Sequence, residues 1–180
     1  MSSCCSGESC EISKTRASAE TACPRCGEVG RVVADETIRA ILKPGHADGL
    51  LAVERRFCKT LGCAVLYYGA DGRVVEKGAA SVRVGVKETE DPVPLCYCFG
   101  FSRADVRSQM AERGDSDIPA RITAEVRAGR CSCEVKNPSG TCCLGDVNRA
   151  MKEAKEALLQ AREGKGRRET GPSRPATVDG

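Results

Sequence analysis

Thirteen cysteines against a single histidine most constrain what this 180-residue chain can fold into. Eight of them fall into two quartets with metal-site spacing. The first is Cys23-Pro-Arg-Cys26 with Cys58-x4-Cys63, and the second is Cys96-Tyr-Cys98 with Cys133 and Cys143. Any ion held here must be held almost wholly by sulfur, which selects zinc, iron–sulfur clusters and Cu(I).

The rest of the composition points to a staple, and the cysteines fit that part. Aromatic residues are 3% of the chain, tryptophan is absent and glycine occurs 19 times. The length fits one domain or two small ones, and two units of about 75 residues each have thin cores that commonly need disulfides, a metal or a partner. Disulfides need an oxidising compartment. The first twenty residues (MSSCCSGESCEISKTRASAE) carry no apolar stretch of the signal-peptide kind. No segment approaches the roughly 20 apolar residues of a membrane span. The expectation is a cytoplasmic chain with reduced, metal-binding thiols. Charge is near balance, with 28 basic and 25 acidic residues. No basic stripe with interleaved aromatics is present, so nucleic-acid binding is not expected.

Composition divides the chain into five parts. Residues 1–21 are polar, carry Cys4, Cys5 and Cys10, and read as a disordered arm. Residues 22–88 read as a β-rich unit. Strands are expected at Arg31–Val33, Leu50–Phe57, Ala64–Tyr68, Arg73–Glu76 and Val82–Val86, with a short helix at Glu36–Leu42. Residues 89–94, acidic and proline-bearing, read as a linker. Residues 95–163 turn helical. Ser102-Arg-Ala-Asp105 resembles a capping box opening a helix that Gly114 ends. A second helix is expected over Pro119–Ala128. A third is expected over Asp146–Glu163, with Val147, Met151, Ala154, Leu158 and Ala161 on one face. Residues 164–180 read as a flexible tail. The fold class is therefore α+β.

Four thiolates leave no open position on a tetrahedral zinc ion, so the first quartet reads as a closed, structural site. Cys23-x2-Cys26 also matches a thioredoxin-type redox pair. That motif expects a strand before it and a helix after it, whereas here a polar segment precedes it and a second cysteine pair is at hand. In the second quartet a pair two residues apart reaches one iron if the loop bends, and a second loop must supply the remaining two ligands of a [2Fe–2S] cluster. A Rieske centre needs two histidines, and His46 stands alone.

Pro94-Leu-Cys-Tyr-Cys98 and Cys133-Glu-Val-Lys-Asn-Pro-Ser-Gly-Thr-Cys-Cys143 resemble the N-terminal domain of the CopZ copper chaperones of archaea and bacteria. The likeness extends over the first quartet and Arg83-Val-Gly-Val-Lys87, about residues 22–150. More distantly, residues 95–155 resemble bacterioferritin-associated ferredoxin. The resemblance implies a small zinc-stapled β-rich domain followed by a helical, bacterioferritin-associated-ferredoxin-like [2Fe–2S] domain. Zinc would be held by Cys23, Cys26, Cys58 and Cys63, and the cluster by Cys96, Cys98, Cys133 and Cys143. The gap after Cys98 would also admit Cys131 as third ligand, and Cys142 competes with Cys143; the Asn-Pro-Ser-Gly string favours Cys133 and Cys143. A full chaperone also carries a heavy-metal-associated domain with its own Cys-x2-Cys loop, and nothing after Leu158 has that pattern.

The functional expectation is one-electron transfer in copper or metal homeostasis. It comprises reduction of Cu(II) to Cu(I), or support of a copper chaperone, copper-transporting ATPase or redox partner. Two alternatives stand beside it. One is soft-metal binding, with Cu(I) held by the thiols of the arm. The other is an interaction module whose cluster senses redox state or iron supply. No nucleophile–base pair suggests a hydrolase or transferase.

Overall fold

The computed structural model describes residues 22–169. The expected arm with Cys4, Cys5 and Cys10 lies outside these residues, as does the chain beyond Glu169.

A four-stranded antiparallel sheet in the order β1-β2-β3-β4 organises the first half. Its strands are β1 (Arg31–Val32), β2 (Arg55–Phe57), β3 (Val65–Gly69) and β4 (Val74–Glu76). β3 is buried along its whole length. A register shift between Val65 and Tyr67 breaks its alternation. As a result Leu66 and Tyr67 both join the core under α1 (Asp35–Ile41), while Val65 and Tyr68 pack against Cys23, Cys58 and Cys63.

Two strand expectations change. Leu50 and Leu51 belong to a short helix, α2 (Asp48–Leu51), and only Arg55–Phe57 pairs as a strand. A short apolar run does not distinguish helix from strand by periodicity, and burial of Leu50 in the α1 core decides the matter. Val82–Val86 is not a strand either. Gly85–Lys87 forms a 3-10 turn, closed by Lys87 N–H to Val84 O at 2.8 Å.

The second half pairs β5 (Pro94–Cys96) with β6 (Phe101–Ser102) and then packs helices. The capping box at Ser102 and Asp105 is present and opens α3 (Arg103–Arg113), which Gly114 ends in the left-handed region at φ 71°. α4 (Ile118–Arg127) has proline in its first turn. A single turn, α5 (Cys133–Lys136), was not foreseen. α6 runs over Leu144–Glu169, past the expected end at Glu163. Gly164 and Gly166 each cost only about 1 kcal/mol in a helix, and the basic residues around them are good helix formers. Val147, Ala150 and Ala154 form its buried face, Met151 and Leu158 flank it, and Ala161 is exposed. They pack on Val106, Met110, Ile118 and Ile122, together with Cys96, Cys133 and Cys143. Both sheet and helices are thus present, as an α+β chain requires.

The segment expected as a linker is tethered. Asp91 accepts from Arg103 at 3.0 Å and from Arg107 at 2.7 Å, and Pro94 already belongs to β5. The α5 region also docks on α1 and the sheet: the Thr37 hydroxyl donates to Glu134 O, and the Tyr67 hydroxyl of β3 donates to Pro138 O. No helix among the described residues is long and apolar enough to cross a membrane.

Candidate metal centres

Two turns bring the first quartet together. Cys23 and Cys26 flank a knuckle in which Gly27 N–H donates to Cys23 O at 2.8 Å, and Gly27 sits at φ 74°, a conformation that favours glycine. Cys58 directly follows β2, and Cys63 lies shortly before β3, so a hairpin loop supplies both. The four sulfurs lie within 4.8 Å of one another, with Cys23–Cys63 at 3.9 Å and Cys26–Cys58 at 3.7 Å. An ion bonded to four sulfurs at about 2.3 Å in a tetrahedron sets the sulfurs about 3.8 Å apart. The donor set therefore fits a divalent ion such as zinc.

Electrostatics argue the same way. Burial pushes the Cys23 thiol up to about 12 and raises Cys63 as well. The Thr60 hydroxyl, 3.3 Å from Cys26 Sγ, leads the interactions that pull Cys26 down to about 6. Four clustered sulfurs, three of them buried, cannot all ionise without a cation to neutralise them, and a metal ion would be that cation. Lys87 supplies further positive charge. It is 5% exposed, and its Nζ lies 3.4 Å from Cys58 Sγ while donating to Thr60 O, Cys63 O and Val65 O.

The second quartet is arranged differently. Cys98 Sγ lies 3.7 Å from Cys133 Sγ, while the thiol that acts most strongly on Cys96 is that of Cys143. The Cys96-x-Cys98 pair therefore divides between two partners rather than pointing at one spot. Among the described residues only the first quartet gathers three or more ligand atoms within 4.8 Å, so this second set is more open. Cys143 precedes α6, and Cys133 opens α5. The Asn137–Thr141 turn links them: Asn137 Nδ2 donates to Thr141 O at 2.7 Å, and Gly140 N–H donates to Asn137 O at 2.8 Å. Ser132 N–H donates to Cys98 Sγ at 3.3 Å.

The mutual influence of the two thiols holds Cys96 down at about 6 and, with burial, pushes Cys143 far up. Burial raises Cys133 to about 12. Cys96, Cys133 and Cys143 are buried and Cys98 is half-buried, whereas Cys131 is half-buried at the edge of the core and Cys142 is exposed. All ten described cysteines are free.

Several residues that shape these centres carried no recognisable sequence signal. Thr60 and Lys87 surround the first quartet, and Tyr67 holds the Asn-Pro-Ser-Gly turn. Tyr97 hydrogen-bonds the 83–85 segment. Lys87 and Tyr97 do fall inside the Arg83–Lys87 and Pro94–Cys98 strings that carry the family resemblance.

A family model described as a zinc binding domain, of the CopZ type, matches residues 20–81. The copper chaperone CopZ of Archaeoglobus fulgidus is 35% identical over 128 residues, covering 71% of this chain. The chain spans 60% of that relative's length. The X-ray structure of the N-terminal domain of Archaeoglobus fulgidus CopZ superposes with a TM-score of 0.58 at 31% identity, covering 71% of this chain and 95% of that domain. With nearly the whole of that domain matched at 31% identity, the chain belongs to the CopZ N-terminal domain family.

Proposed function

We propose that this chain is a cytoplasmic zinc- and [2Fe–2S]-binding protein that passes single electrons in copper homeostasis. It would reduce Cu(II) to Cu(I), or support a copper chaperone or copper-transporting ATPase. Residues 22–88 would form the zinc domain. Residues 95–163 would form a helical domain of the bacterioferritin-associated-ferredoxin kind, joined through 89–94.

The observation that carries this reading is the approach of Cys98 to Cys133 at 3.7 Å, with Cys96 and Cys143 buried in the same helical core and apart from the first quartet. Two sulfurs at that spacing suit one tetrahedral iron, and two further buried sulfurs beside them suit the second iron of a two-iron cluster. Burial of Cys133 and Cys143, against an exposed Cys142, supports their choice as ligands. A bound cluster would supply one-electron redox chemistry. The protein holds the four sulfurs, limits water through the surrounding helices, and directs the Ser132 N–H at Cys98 to favour its negative charge. Cu(I) is the state that thiolates prefer, so delivering one electron to Cu(II) makes the ion transferable to a sulfur-rich acceptor. The copper connection rests on the likeness to a protein named a copper chaperone.

Metal and acid-labile sulfide analysis of anaerobically purified protein tests the assignment: about one zinc and about two irons per chain are expected, with a paramagnetic signal on reduction. Replacing Cys133 or Cys143 by serine should abolish the visible absorbance, and replacing Cys131 or Cys142 should not. Mixing the reduced protein with Cu(II) and a Cu(I)-specific chelator tests the activity. Cu(I) formed in step with cluster oxidation is expected. Copper captured without oxidation would instead mark a soft-metal-binding or redox-sensing module.

A further inference from the structure

Lys87 is the one buried charged side chain among the described residues. Its ammonium is enclosed by Val65 O at 2.7 Å, Thr60 O at 2.9 Å, Cys63 O at 3.0 Å and Cys58 Sγ at 3.4 Å. Those acceptors all come from the stretch that presents Cys58 and Cys63. An ammonium is retained in such a place only if strong partners compensate its lost hydration. Three carbonyls and a thiolate do so, and a dication in four thiolates leaves the site net negative, which suits a cation beside it.

The same short segment reaches the other centre. Two residues before Lys87, the Gly85 N–H donates to the Tyr97 hydroxyl at 2.8 Å, and that hydroxyl donates to Arg83 O at 3.0 Å. Tyr97 lies between Cys96 and Cys98. Gly85 passes so close to β5 that a Cβ there would stand 1.9 Å from Pro94 O. The 3-10 turn stiffens the connection, since Lys87 N–H bonds Val84 O and Glu88 N–H bonds Gly85 O.

We propose that Lys87 is a positioning residue for both centres: it clamps the Cys58–Cys63 loop around the metal and, through Gly85 and Tyr97, carries that site's occupancy to the Cys96-x-Cys98 loop. This rests on zinc in the first quartet and a cluster in the second. Metal in the first site then slows loss of metal from the second.

The test uses the full chain, purified anaerobically, with zinc transfer to a chromophoric chelator and iron release to a ferrous chelator as readouts. Lys87→Met should speed zinc transfer roughly 10–100-fold, the usual effect of losing an outer-shell partner. It should also speed iron release roughly 5-fold or more, the lower range of ordinary coupling. Tyr97→Phe should speed iron release comparably while zinc transfer stays within about twofold of the parent, because its hydroxyl serves only the second link. In the Co(II)-loaded protein, Lys87→Met should shift the thiolate-to-cobalt band, which general loosening elsewhere does not move.

Zinc transfer in Lys87→Met within about twofold of the parent, or iron release unchanged in Tyr97→Phe, overturns the proposal. If Lys87→Met does not fold, Lys87→Arg decides: it keeps the charge, cannot seat its wider head among the same four acceptors, and should transfer zinc faster, so parental transfer overturns the clamp. A parent protein with zinc but no iron refutes the cluster reading alone, and the zinc and cobalt measurements still decide on the clamp.

Discussion

Tyr67, at the centre of the sheet, donates its hydroxyl proton to the carbonyl of Pro138 at 2.6 Å, and so fastens the turn between Cys133 and Cys143 to the unit that holds the first quartet. The ring is fully buried and tilts against Phe57 with centroids 5.8 Å apart. Burial raises the Tyr67 hydroxyl far above its ordinary value, so it stays a donor at any physiological pH.

Tyr67→Phe keeps the packing and strands the Pro138 carbonyl. A buried acceptor left without its partner costs about 1–3 kcal/mol. Denaturant unfolding should show that loss, with metal lost from the second quartet before the first.

Gly85→Ala is expected to be severe. The new methyl would meet Pro94 O at 1.9 Å, a backbone atom of the strand that carries Cys96. Either β5 or the 83–87 segment must move, so visible absorbance should fall in the purified variant. Gly78→Ala, where no atom lies within 4 Å of the added methyl, should leave it unchanged.

Asp91 sets an acid limit. Its partial burial opposes the charge, but the bond from Arg103, the Val93 N–H and the charges of Arg103 and Arg107 outweigh it and hold the carboxyl below its ordinary value. A depressed folded-state value means that this contribution is present above the unfolded value, about 4, and is lost as pH falls through the lower folded one. Asp91→Asn should therefore lower stability near neutral pH and make the acid limb of a stability–pH curve shallower.

Ser102→Ala removes the hydroxyl that accepts from Asp105 N–H at 3.2 Å. The expected loss is about 1 kcal/mol in thermal or denaturant unfolding. The cysteine loops should be untouched, so metal content is expected to stay at the parental level.

Local chemistry was legible where it acts locally. The capping box at Ser102 and Asp105, the stop at Gly114 and the knuckle of Cys23 and Cys26 each use atoms a few residues apart, and each stands where the sequence places it. The helical face of α6 was legible only in part, because Ala150 rather than Met151 turns fully inward against its neighbours. The Leu50–Phe57 and Val82–Val86 runs misled, since both are short and rich in valine or leucine and their conformation follows from what they pack against.

The sequence by itself determined the chemistry available to this protein: cysteines in two sets with metal-site spacing and a single histidine, in a chain poor in aromatics. Tertiary structure alone decided which sulfurs meet. Cys98 meets Cys133, Cys96 and Cys143 share the helical core, Cys142 stays exposed, and Lys87 is buried beside Cys58. Spacing limits how far a loop can reach, whereas pairing and burial depend on contacts between segments tens of residues apart, which no local pattern encodes.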